Sequence, residues 1–195
     1  TTDQLLFTFL PTTCLFSSPP VPFSTRFSTR QPPVQANGLQ WGVSAMQGWR
    51  VSMEDSHIHQ DDLGTVAPGY GFYGVFDGHG GENCAKIVAE RFVSFVTKQE
   101  GFATAAATKD IETLKKCLIQ AHFELDAEMW AMPGFNSLND RSGCTSVTAL
   151  VSDTHIIVAN SGDSRSVLGK WWWFSIATAL YFEHRVGRAF TVLHP

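Results

Sequence analysis

The residues best suited to chemistry lie in two short segments, 50–55 and 77–79. Asp77 follows an aromatic-rich run and precedes Gly78, His79 and two further glycines. Glycines allow backbone conformations and close approaches that a Cβ would prevent. The turn can therefore present the Asp77 carboxylate and the Gly78 carbonyl oxygen together. His79 is the one side chain of this turn that titrates near neutral pH.

The upstream segment supplies Arg50 and the acidic pair Glu54 and Asp55. Hydrolysis of a phosphate ester by a metal enzyme requires hard oxygen ligands, a positive group for the phosphoryl oxygens and a proton donor for the leaving oxygen. The carboxylates can supply the ligands, the planar Arg50 guanidinium can hold phosphate, and His79 can donate the proton. Each residue also has a simpler interpretation. An Asp-Gly pair is most often only a turn, and the other charged residues can be solvated surface groups.

Three other patterns bear on function. His57 and His59 lie on one face of a predicted strand, a spacing that can suit a metal, but no cysteine or third histidine accompanies them and a surface position is favoured. The glycines of residues 69–74 match a dinucleotide-binding pattern, yet they precede a strand instead of opening a helix, so the match fails. No cysteine has an arginine six positions on, so the signature of cysteine phosphatases is absent.

The patterning predicts strands, then two helices, then strands. Strands are predicted at residues 41–46, 52–60 and 70–76, and two more at 145–151 and 155–159 around a tight turn. Each helix has an apolar stripe at helical spacing, and Pro133 ends the second. The first stripe is Cys84, Val88, Phe92, Phe95 and Val96, and the second is Ile111, Leu114, Leu118, Leu125 and Met129. This order favours an α+β fold of packed layers.

Composition excludes several classes of partner. The chain of 195 residues has a net charge of −4, and this lack of basic excess argues against nucleic acid. The four cysteines have no metal-finger spacing and indicate reduced thiols. No apolar run reaches the ~18 residues of a membrane-spanning helix, so we expect no membrane partner. We expect a monomer in the cytosol or nucleus.

Three zones differ in composition. Residues 1–37 are rich in Pro, Ser, Thr and Phe and predict a disordered or non-homologous leader, with an organelle transit peptide as the alternative. Residues 38–169 have the patterning of a folded domain. Residues 170–195 form an apolar tail that begins with three tryptophans after Lys170.

Four segments, in order, resemble the motifs of the metal-dependent protein phosphatases, the type 2C serine/threonine class. They are GVSAMQGWRVSMEDSH at 42–57, FYGVFDGHGG at 72–81, SGCTSV at 142–147 and VANSGDSR at 158–165. The resemblance implies a β-sandwich flanked by helices, in α-β-β-α layers, that hydrolyses phosphoserine and phosphothreonine on protein substrates. It also implies a centre of two Mg²⁺ or Mn²⁺ ions at one end of the sandwich.

The resemblance also implies a role for each candidate residue. Asp77 would bridge both metal ions, and Glu54 and the Gly78 carbonyl oxygen would complete one site. Asp55 would contact water bound to the metal. Arg50 would hold the substrate phosphate and His79 would act as general acid, while a metal-activated water attacks phosphorus directly.

The chain departs from the family after about residue 169. The family has a later Asp-Gly and a late Asp-Asn that bind the other metal, whereas residues 170–195 contain no aspartate. The tail is therefore interpreted as non-homologous, from a retained intron, an alternative exon or a wrong gene model, and we expect unpaired sheet edges. Two functions stay open: a phosphatase, or a non-catalytic truncated product that acts as a decoy binding module or is unstable.

Overall fold

The computed structural model describes residues 5–10, 41–43, 45–135, 140–170, 173–175 and 188–193. Its strands are β1 (Leu5–Leu10), β2 (Ser56–Gln60), β3 (Gly71–Phe76), β4 (Gly78–His79), β5 (Gly143–Cys144), β6 (Ser146–Val151), β7 (Ile156–Ser161), β8 (Arg165–Lys170), β9 (Trp173–Ser175) and β10 (Arg188–Leu193). Its α-helices are α1 (Asn83–Thr97), α2 (Phe102–Thr108) and α3 (Ile111–Ala131), and a short 3-10 helix spans Gly64–Val66.

The largest sheet is antiparallel and has the strand order β10-β7-β6-β3-β2. Strands β4 and β5 form a two-stranded ribbon, and β1, β8 and β9 form a third sheet in the order β1-β8-β9. The β3–β6 pairing, with Val75 opposite Val147, continues in the same register into β4–β5, where Gly78 lies opposite Cys144. Asp77 and Thr145 occupy the point between the two ladders.

The main core lies between the large sheet and the helices. Alternate residues of a strand point to one face, and on this face Phe72, Phe76, Leu150 and Ile157 are buried. The helices cover it with their apolar stripes, and α1 packs on both α3 and β3. The buried stripe residues are Cys84, Val88, Phe92, Phe95 and Val96 of α1, with Leu114, Leu118, Leu125 and Met129 of α3.

The opposite face of the large sheet is also buried in its centre. Val147, Ala149 and Val158 point away from the helices, and each is at most 1% exposed. Strand β6 is buried along its whole length, as a strand covered on both faces should be. At the edge strand β2 this face becomes exposed.

The α+β fold that the sequence predicts is confirmed, and both predicted helices are present. The 41–46 prediction was wrong, because the described residues of that segment form no strand. Strand β2 begins at Ser56 and not at Ser52, since its partner β3 ends at Phe76, opposite Ser56. The sequence prediction missed α2, a short helix between two residues in left-handed conformation, Gly101 and Lys109.

Both terminal zones contain paired strands. Strand β1, in the zone predicted to be a leader, pairs with β8, and residues 11–40 lie outside the described residues. In the predicted tail, β9 pairs with β8 and β10 pairs with β7, which covers the edge of the large sheet that we expected to be unpaired. None of the helices that the structure describes is both long and apolar enough to cross a membrane.

Candidate metal and phosphate site

Thr145 fixes the backbone of Asp77 from two sides. The Thr145 backbone N–H donates to the Asp77 carbonyl oxygen at 2.9 Å. The Asp77 N–H in turn donates to the Thr145 hydroxyl oxygen at 3.2 Å. Because both polar groups of the Asp77 backbone are satisfied in this way, its half-buried carboxylate is free to project from the end of β3.

The fourth motif supports Thr145. The hydroxyls of Thr145 and the buried Ser164 are 2.6 Å apart, and the Asn160 side chain donates to the Ser164 carbonyl oxygen at 2.6 Å. Gly162 has a φ of +105°, and a Cβ there would lie 2.8 Å from the Thr145 methyl carbon. Only glycine therefore fits this turn without strain. The third and fourth motifs hold Asp77 in position.

Gly78 brings the upstream acidic segment to Asp77. Gly78 is buried, and a Cβ on it would overlap the carbonyl oxygen of Glu54. The Gly78 backbone also forms a hydrogen bond with the Asp55 carboxylate. The glycine thus permits a contact between two segments that are distant in sequence.

The site has unbalanced negative charge. Burial is the main cause that raises the pKa of Asp55, and the neighbouring Asp77 and Glu54 carboxylates raise it further. The Gly78 hydrogen bond and the Arg50 guanidinium oppose this rise in pKa. The Arg50 side chain is exposed. The structure therefore brings Arg50, Glu54, Asp55, Asp77 and Gly78 together.

The donor set fits a hard divalent cation that keeps much of its water. Within the described parts of the chain, no group of three or more His, Cys, Asp or Glu side chains could hold a metal ion. Mg²⁺ is usually bound through only one or two carboxylates, with water and substrate phosphate as its other ligands. The neighbouring carboxylates and the Gly78 carbonyl oxygen are oxygen donors of the kind that such a cation prefers.

His79 lies beside the acidic cluster at the mouth of a cleft. Its ring packs on Gly143, where a Cβ would lie 2.5 Å from Nε2. The cleft has a volume of about 430 Å³ and is also lined by Asp126, Trp130 and Ser142. The His79 side chain is exposed to solvent.

The start of α1 is anchored to the third motif. The Ser142 hydroxyl accepts a hydrogen bond from the Cys84 N–H at 3.1 Å, which satisfies one of the free N–H groups of the first helical turn. Ser142 is held by Asp140, whose carboxylate accepts from the Ser142 N–H at 2.9 Å. This contact holds the 77–81 turn and the 140–145 segment together.

His57 and His59 lie on the exposed face of β2. Their ring centroids are 5.6 Å apart, and Trp41 packs on His59 at 4.2 Å. Burial, followed by the neighbouring His59, lowers the pKa of His57. Among the residues that the structure describes, no third His, Cys, Asp or Glu joins the pair in a group that could hold a metal ion.

Sequence reasoning missed the residues that support the site. Thr145, Ser164 and Ser142 lie inside the third and fourth motifs, but the motifs alone gave them no role. A recognisable signal was Gly162, because a glycine between polar residues after a strand indicates a positive φ and a close packing contact. The partner of that glycine is 17 residues earlier and cannot be found from local patterning.

Comparison with known proteins identifies the family. The family model described as Protein phosphatase 2C matches residues 39–186. This chain belongs to that family.

Individual relatives agree with the family assignment. Protein phosphatase 1A of Homo sapiens is 37% identical over 134 residues, which cover 69% of this chain and 35% of the relative. Protein phosphatase 2C homolog 2 of Schizosaccharomyces pombe is 38% identical over 151 residues, covering 75% and 38%. The chain thus spans little more than a third of these relatives.

A solved structure shows the same fold. The S. agalactiae serine/threonine phosphatase aligns with a TM-score of 0.50 at 16% identity, covering 67% of this chain and 50% of that one.

Proposed function

We propose that this chain contributes to the hydrolysis of phosphoserine and phosphothreonine on proteins with Mg²⁺ or Mn²⁺ as cofactor. The observation that carries the proposal is the assembly of Asp77, Glu54, Asp55 and Arg50 around Gly78 at one end of the sheet. Repelling carboxylates with one exposed guanidinium suit a cation and a phosphate dianion better than any neutral ligand. Family membership supports the same reaction.

Each candidate residue has its own role in the proposed reaction. Asp77, Glu54 and the Gly78 carbonyl oxygen would hold the cation, and Asp55 would orient water beside it. A bound divalent cation neutralises phosphoryl charge and lowers the pKa of water. Arg50 binds two phosphoryl oxygens through its planar fork and fixes the orientation of the ester. His79, which is exposed at the cleft, donates a proton to the departing seryl or threonyl oxygen.

The test is the release of phosphate from a phosphothreonine peptide by the full 195-residue chain, with and without Mn²⁺. Asp77→Ala should abolish the turnover that depends on metal. Asp153→Ala is the matched control, because Asp153 follows β6 at the end of the sheet opposite Asp77 and pairs with Lys109 at 2.9 Å. Turnover that persists in EDTA, or in Asp77→Ala, contradicts the proposal.

The second candidate is a non-catalytic product that binds phosphoproteins or other partners as a decoy, or that is unstable. It is favoured by residues 170–195, which contain no aspartate, whereas the family resemblance implies further aspartates that bind the other metal. A folded chain without turnover that binds the phosphopeptide supports the decoy. A chain without a cooperative unfolding transition supports the unstable species. The cytosolic or nuclear location and the monomeric state stay predictions.

A further inference from the structure

Two thiols from distant parts of the chain meet beside the candidate site. The sulfur atoms of Cys84 and Cys144 are 3.5 Å apart, although the residues are separated by 60 positions. Cys84 lies in the first turn of α1 and Cys144 in β5. The Cys84 N–H bonds to the Ser142 hydroxyl at 3.1 Å, two residues before Cys144. This bond holds the start of α1 against the segment that carries Cys144.

We propose that Cys84 and Cys144 form an oxidisable dithiol, a modification site that closes to an intramolecular disulfide with hydrogen peroxide or a related peroxide. A disulfide has an S–S distance of about 2.05 Å, so the sulfur atoms need to approach by only about 1.5 Å. Both residues line the cleft of about 430 Å³, where Cys84 is 6% exposed and Cys144 is half-buried, so a small peroxide can reach the pair.

The reaction is balanced by the peroxide alone. The Cys84 thiolate attacks one peroxide oxygen, so that an S–O bond forms, the O–O bond breaks and hydroxide leaves. The Cys144 sulfur then attacks the Cys84 sulfenic acid, the S–S bond forms, and the departing hydroxyl takes the Cys144 proton as water. Two thiols and one peroxide give a disulfide and two waters.

The local chemistry supports this order of attack. The hydrogen bond between the two thiols lowers the pKa of Cys84, and the same contact, followed by burial, raises the pKa of Cys144. Thiolates, not thiols, are the nucleophiles towards peroxide. Cys117 offers an internal contrast, because it is buried in α3, burial raises its pKa, and its thiol donates a hydrogen bond to the Glu100 carbonyl oxygen at 3.9 Å. The proposal itself stands on the contact between the two sulfur atoms.

The test is peptide mapping of the full chain after mild treatment with hydrogen peroxide. The chain carries Cys14→Ser, so that this thiol cannot form competing bonds. Trypsin releases Cys84 in the peptide 51–86 and Cys144 in the peptide 142–165, because neither contains an internal lysine or arginine. We expect these two peptides to be joined, with a mass about 2 Da below their sum, and to separate on reduction.

Three controls decide the outcome. Cys117→Ser should leave the yield of the linked peptides unchanged, and Cys144→Ser should abolish them. The same oxidation in urea should form the link at least about tenfold more slowly, since the native fold holds the sulfurs together. Equal rates in buffer and urea, linkage of either cysteine to Cys117, or a gain of about 32 Da on an unlinked Cys84 would overturn the proposal.

Discussion

Thr145→Val removes one hydroxyl and keeps the shape of the side chain. That hydroxyl accepts from the Asp77 N–H at 3.2 Å and bonds the Ser164 hydroxyl at 2.6 Å. The substitution leaves the Asp77 N–H and the Ser164 hydroxyl without this hydrogen bond, and Ser164 is only 1% exposed. A buried polar group that loses its partner costs about 1–3 kcal/mol. We therefore expect the free energy of unfolding to fall by about 2–4 kcal/mol.

The chain supplies a matched control three residues away. Thr148 is 1% exposed, and its hydroxyl has no hydrogen-bond partner among the described residues. Thr148→Val should leave the free energy of unfolding unchanged or raise it by about 1 kcal/mol, because an unpaired hydroxyl is replaced by an apolar group.

Urea unfolding followed by circular dichroism measures both variants. The reasoning is refuted if the two substitutions change the free energy of unfolding by the same amount, within about 0.5 kcal/mol. It also predicts that Thr145→Val lowers the rate of phosphopeptide hydrolysis while the chain is still folded, since the Asp77 backbone is no longer fixed. Thr145→Ser, which keeps the hydroxyl, should restore most of that rate.

Three further predictions follow from the site. Gly78→Ala should destabilise the chain by about 1–3 kcal/mol in urea unfolding, because its Cβ overlaps the Glu54 carbonyl oxygen. Gly42 has open space around it, so Gly42→Ala should change stability by less than about 0.5 kcal/mol. Because folding raises the pKa of Asp55, ionisation of this carboxyl opposes folding. Asp55→Asn should therefore stabilise the metal-free chain at pH 7. This gain in stability should vanish as the pH falls below 3.8, the pKa of the carboxyl in the unfolded chain. A loss of stability at pH 7 in that variant would contradict this assignment. His79→Asn should lower kcat for a phosphothreonine peptide by about 10²–10⁴-fold, and clearly less for p-nitrophenyl phosphate, whose leaving group needs no proton; equal losses would exclude His79 as the proton donor.

Local patterning predicted well those elements whose own sequence favours their type and burial. The stripes of α1 and α3 recur at helical spacing, and β3, β6 and β7 are apolar runs bounded by turns, so their type and burial follow from the sequence. The 41–46 segment has similar apolar content, yet it forms no strand, because none of the described strands pairs with it. Strand pairing depends on a partner strand, so it cannot be predicted from the residues of the segment alone.

The sequence predicts which residues belong to the candidate site, but not the contacts that support them. The chemistry of Asp77, Glu54 and Arg50 is visible in their types and in their glycine neighbours. The contact between Thr145 and Asp77 joins residues 68 positions apart, and only the register between β3 and β6 brings them together. The contact between Cys84 and Cys144 has the same origin, since β5 continues that register beyond Asp77.

Mn²⁺ binding tests most directly the central claim that the motifs assemble one cation site around Asp77. The measurement is a titration of the full chain followed by electron paramagnetic resonance of the free ion. We predict saturable binding that is lost in Asp77→Ala and retained in Asp153→Ala. Equal binding by both variants, or no binding by a chain that unfolds cooperatively, would contradict the account.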